Sequence, residues 1–77
     1  MEPPQIFKDI YEALDGESPP VYTEDFVKRL GYTEQDMRDA LHHLVVTERA
    51  LKGDPLYGIT GVRKPLSEIK SFSCHVR

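Results

Sequence analysis

Thr23-Glu-Asp-Phe-Val-Lys-Arg-Leu-Gly-Tyr-Thr33, continuing as Glu34-Gln-Asp-Met-Arg-Asp-Ala-Leu-His-His-Leu-Val-Val46, is the stretch that decides the fold. Phe26, Val27 and Leu30 fall on one face of a first helix. Met37, Ala40, Leu41, Leu44 and Val45 keep the 3.6-residue period through a second, to about Thr47. The spacing predicts Thr23 as N-cap of the first helix, with Glu24 and Asp25 in the turn where the helix dipole favours anions. Gly31 stops that helix. Thr33 caps the next one, and Asp36 stands at its third position, where a capping box places Glu or Gln. Two short amphipathic helices joined by a tight turn containing Gly can thus set both apolar faces against a third element.

That element precedes them. Phe7, Ile10, Tyr11 and Leu14 recur at i, i+3, i+4 and i+7, which predicts a helix from Pro4 or Gln5 to Leu14. Pro3-Pro4 suits its first positions, and Asp15-Gly16 ends it. A loop over 17–20 leads to a brief strand at Val21-Tyr22. After the second helix of the central pair the period changes. Ala50-Leu-Lys52 and Leu56-Tyr-Gly-Ile-Thr60 are short apolar runs around Gly53-Asp54-Pro55, which predicts a β-hairpin with its loop at those three residues. Gly58 inside the second strand signals a bulge or a close backbone approach. Beyond it, Leu66, Ile69 and Phe72 fit one side of a short helix begun by Pro65.

Composition bounds the function. Seventy-seven residues allow one domain, and a chain this short buries only about 60–65% of its unfolded surface, leaving little room for a deep catalytic cleft. A hydrophobic share of 39% with 30% charged residues is that of a soluble globular domain. No apolar run approaches a membrane span, Met-Glu-Pro-Pro lacks the features of a signal peptide, and the single Cys74 suits a reducing cytoplasm. No enzyme motif is present: no phosphate loop, no His-Glu-x-x-His, no nucleophile elbow. Catalysis, metal and cofactor are therefore not expected. His42 and His43 point about 100° apart on a helix and match no zinc pattern, so both are expected at the surface or its boundary.

Charge divides the chain. Residues 1–60 carry six cations against twelve carboxylates, a balance of −6, while 61–77 hold Arg63, Lys64, Lys70 and Arg77 against Glu68, a balance of +3, giving the overall −3. This separates a domain over 1–60 from a basic extension over 61–77.

The order helix, brief strand, helix, tight turn, helix, hairpin over residues 5–60 resembles the winged helix-turn-helix superfamily, without selecting a family in it. The resemblance implies a mainly α fold of three helices plus a small hairpin. It further implies a DNA-binding transcriptional regulator with a recognition helix at 34–46 and a wing at 51–60. On that reading Gln35, Arg38 and His42 face the bases and Tyr32 and Thr33 touch phosphate, while Lys52, Arg63 and Lys64 grip the backbone beside the wing. A homodimer on double-stranded DNA follows, with Leu66, Ile69 and Phe72 as its interface; the other arrangement folds that stripe back onto helix one. The acidic body supports a second reading. In that case Glu34 and Asp39 bind a protein partner with a basic surface, as an interaction module or inhibitor. Neither reading involves a membrane.

Overall fold

The computed structural model describes residues 3–16 and 19–69. In chain order it forms α1 (Gln5–Asp15), β1 (Val21–Tyr22), α2 (Thr23–Leu30) and α3 (Glu34–His42). A single wide π turn (His43–Thr47) follows, then β2 (Leu51–Asp54), β3 (Gly58–Val62) and a 3-10 turn (Leu66–Glu68). The strands make one antiparallel sheet in the order β1-β3-β2. Three helices and a small three-stranded sheet are compatible with a winged helix. No helix among the described residues is long and apolar enough to cross a membrane.

The helical spacing explains the core. Phe7 and Ile10 of α1 and Met37, Ala40 and Leu41 of α3 are fully buried, with Phe26 of α2 and Ile59 of β3 closing the cluster. Each such large side chain contributes about 1.5–3 kcal/mol on leaving water. Gly31 takes a left-handed φ of 78° and its N–H returns to the Val27 carbonyl at 3.2 Å, which ends α2 where expected. Thr33 caps α3, accepting from the Asp36 N–H at 3.1 Å. Gly58 is the predicted close approach: a Cβ there would lie 2.7 Å from the Val21 carbonyl oxygen across the β1–β3 pair.

Three expectations are corrected. Thr23 is not the N-cap of α2; it is the first helical residue, buried, and its hydroxyl donates to the Pro55 carbonyl at 3.0 Å while its N–H donates to the Tyr57 carbonyl at 2.9 Å. The hairpin claimed both of its polar groups. The hairpin loop is also displaced: Gly53 and Asp54 belong to β2, a bulge falls between Lys52 and Gly53, and the turn is Pro55-Leu56-Tyr57. Asp54 Oδ1 accepts from the N–H groups of Leu56 and Tyr57 at 2.8 and 3.2 Å, an Asx turn with Pro in its second position. Finally, His43 is 0% exposed, its ring stacked on Phe7 with centroids 5.5 Å apart and planes 15° apart.

At the C-terminal side β3 continues past position 60 to Val62, paired with Leu51. Pro65 introduces one 3-10 turn. Ile69, 5% exposed, then joins the core, and Leu66 packs on its edge. Phe72, Lys70, Cys74 and Arg77 lie outside the described residues.

Candidate nucleic-acid interface

α3 presents Glu34, Gln35, Arg38 and His42 outward, with Asp39 half-exposed. These groups satisfy one another. Arg38 Nη2 lies 3.0 Å from Glu34 Oε1, and Gln35 Nε2 donates to Asp39 Oδ1 at 2.8 Å. Both are i,i+4 pairs, the spacing at which helix neighbours meet. The two residues best suited to read a base edge are thus held by carboxylates of their own helix. In the preceding turn Tyr32 is likewise engaged: its hydroxyl donates to Asp9 Oδ2 at 2.5 Å. That bond raises the Tyr32 phenol to about 12, and it is the main reason Asp9 falls below the ordinary carboxylate value, with the Gln5 amide contributing second.

The other helical cations are engaged too. Lys28 Nζ sits 3.2 Å from Glu24 Oε1, and Lys8 and Arg29 also have partners.

The hairpin base is different. After α3 the π turn closes through the Glu48 N–H to the His43 carbonyl at 2.8 Å and the Ala50 N–H to the Leu44 carbonyl at 2.7 Å. Between those two anchors Arg49 is forced to a φ of 52°, a left-handed conformation that a residue with a Cβ adopts at some strain. The Ala50 carbonyl then accepts from the backbone N–H groups of both Arg63 and Lys64, at 2.7 and 3.1 Å, which draws the end of β3 back beside Arg49. The result is a cavity of about 330 Å³ lined by Arg49, Lys52 and Arg63 together with Val45, Val46 and Leu51. No carboxylate lines it. None of these three cations has an ion-pair partner among the described residues. Lys64 follows in the chain, half-buried and outside the lining, its carbonyl accepting the Tyr11 hydroxyl at 2.9 Å. Burial pushes that tyrosine to about 12.

The structure therefore brings together two members of the sequence-predicted set. Lys52 and Arg63 meet at the hairpin base, with Lys64 next to Arg63 in the chain but outside the cavity lining, while Gln35, Arg38 and His42 stay on α3 and Tyr32 and Thr33 are used in the turn and cap. Two features escaped the sequence. Arg49 completes the cluster, and no sequence signal marks an arginine for a left-handed position, which favours Gly or Asn. The turn exposes Leu56 and Tyr57, 65% and 71% accessible, and the Asp54-Pro55 dipeptide was the signal that could have placed them there.

Set against known proteins, the chain matches no protein-family model, no curated protein and no solved structure.

Proposed function

We propose that this chain is a winged helix-turn-helix module of the DNA-binding, regulatory kind that holds duplex DNA through its phosphates, with the grip at the base of the β2–β3 hairpin. One observation carries the reading: Arg49, Lys52 and Arg63 line a single cavity with no carboxylate, although the chain has a net charge of −3 and its helical cations are partnered. An uncompensated cluster in an acidic protein gives a local positive potential, which raises the encounter rate with a polyanion and fixes where it lands. Contacts of this type position a duplex without reading its sequence. The hairpin tip agrees with that division of labour. It is tied to the start of α2 through Thr23, so it does not project toward an adjacent groove.

The test is binding of a labelled duplex against salt. Three phosphate contacts release counterions with a slope of log K on log salt of about −2.7, so affinity should fall about 40-fold between about 50 and 200 mM. Reversing Arg49, Lys52 and Arg63 to Glu should abolish binding. Arg38→Ala, whose guanidinium is held by Glu34, should leave nonspecific affinity within about threefold. Binding that survives the triple reversal, with Arg38→Ala losing about 1–3 kcal/mol at a preferred site, would transfer the function to base reading by α3.

A further inference from the structure

The hairpin tip carries a second surface that shares no residue with the cation cluster. Leu56 forms the common wall of two adjoining clefts. One, of about 390 Å³, reaches Val27, Glu24 and Glu34 on α2 and α3; the other, of about 410 Å³, reaches Asp39, His42 and Asp54. Tyr57 stands beside Leu56, its ring meeting that of Tyr22 edge-on with centroids 5.4 Å apart. Tyr57 and Tyr22 thus meet beside the turn that exposes Leu56.

The tip is held rigidly. The Asx turn at Asp54 and the two bonds from Thr23 fix the backbone that presents Leu56 and Tyr57, so a partner meets a preformed shape and little ordering entropy is lost. The surrounding charge is net acidic. Glu24, Glu34, Asp39 and Asp54 line the clefts against Lys28 and Arg38, a formal balance of −2; the two cations are paired with Glu24 and Glu34, which leaves Asp39 and Asp54 without a cation among the described residues. Phosphate is repelled from such a surface, whereas lysine and arginine are attracted to it.

We propose that the groove on both sides of Leu56 docks a basic segment of another protein that carries an apolar anchor. The anchor packs against Leu56 and Val27, and its flanking cations face Asp39 and Asp54. An apolar contact with a net-acidic rim lets a short segment gain affinity from its anchor and selectivity from the rim. The cation cluster at the hairpin base repels the same segment, which restricts docking to this face.

The test follows backbone amide resonances of the whole chain while a short synthetic Lys/Leu peptide, and separately its Glu/Leu counterpart, is added. The Lys/Leu peptide should give saturable shifts at Val27, Asp39, Leu56 and Tyr57, and the Glu/Leu peptide none there. Leu56→Ser and Asp39→Lys, both at accessible positions, should each weaken binding at least about tenfold while the thermal melt stays within that of the wild type. Equal shifts from both peptides would overturn the proposal, as would shifts centred on Arg49 and Lys52. It would also be overturned if sedimentation shows the chain alone self-associating and Leu56→Ser makes it monomeric, because the occupant is then a second copy. Shifts at α3 produced by duplex DNA, competing with the Lys/Leu peptide, would reassign the face to nucleic acid.

Discussion

The outer face of α3 and the base of the hairpin hold similar numbers of charged side chains, yet they leave very different fields. On α3 the backbone is a regular helix, so residues four apart meet, and Arg38 and Gln35 fall onto Glu34 and Asp39. At the hairpin base the backbone is irregular: a π turn, a left-handed Arg49 and a bulge after Lys52. There no periodic spacing offers a partner, and Arg49, Lys52 and Arg63 converge unneutralised. Regular backbone gives the one cation of that face a carboxylate partner, and irregular backbone leaves three cations for something else to neutralise. The strain at Arg49 is consistent with that, since a position under functional demand can hold a residue the backbone disfavours.

The largest expected effect removes both regions together. Leu41 is fully buried among the helices, and Leu41→Ala should cost about 2–5 kcal/mol through the cavity it opens. A circular-dichroism melt should show the variant largely unfolded at physiological temperature; a melt like that of the wild type would show that the two faces are not supported by one core.

Thr23→Val should separate the regions. It keeps the shape of the buried side chain and deletes the hydroxyl bond to Pro55, at a cost of about 1 kcal/mol. Exchange at the Leu56 and Tyr57 amides should quicken while duplex affinity holds. Slower exchange, or lost duplex binding, would mean that tip and base are mechanically one unit.

Arg49→Gly acts on the base alone. Relief of the left-handed strain and the added backbone freedom of glycine oppose each other, so stability should change by less than about 1 kcal/mol. The salt slope for duplex binding should nevertheless shrink by about 1. An unchanged slope would remove Arg49 from the cluster.

The smallest effect comes from two tyrosine hydroxyls. Tyr11 and Tyr32 are raised from 10.0 to about 12, the first by burial and the second by its bond to Asp9. A group whose folded pKa is raised contributes stability that is full below its unfolded value and is lost as pH climbs through the folded one. Stability should therefore decline from about pH 10 toward 12. Asp9 has the opposite sign: its lowered value stabilises above 3.8, and that contribution goes as pH falls. Tyr32→Phe should flatten the alkaline decline and reduce the acid-side dependence together. A variant whose alkaline and acid limbs both superimpose on the wild type would show that the bond between Tyr32 and Asp9 does not persist in solution.

Much of the fold was legible because its signals were local. The 3.6-residue spacing of Phe7, Ile10 and Leu14 marked α1 within a residue or so, and Gly31 and Thr33 end α2 and cap α3 as expected. The spacing of Met37, Ala40 and Leu41 placed α3 but not its end, because from His43 to Thr47 the backbone widens into the π turn. What failed was decided by contacts between distant segments. Thr23 has the residue type of a cap, but the carbonyl of Pro55, thirty-two positions on, took its hydroxyl. His43 sits at the edge of the apolar arc, and only the stacking of Phe7 from α1 settles it inside. Of the candidate site, Lys52, Arg63 and Lys64 were visible as charges in sequence; the convergence of Lys52 and Arg63 with Arg49 depends on the π turn and on the shared Ala50 carbonyl, neither of which leaves a mark in residue type.

The most direct test maps a nonspecific duplex onto the chain by amide shifts at low salt. If phosphate is held at the hairpin base, the largest shifts fall at Arg49, Lys52, Arg63 and Lys64, with Gln35 and Arg38 nearly unmoved and the Glu34–Arg38 pair intact. Shifts concentrated on Gln35, Arg38 and His42, with the hairpin base silent, would contradict it.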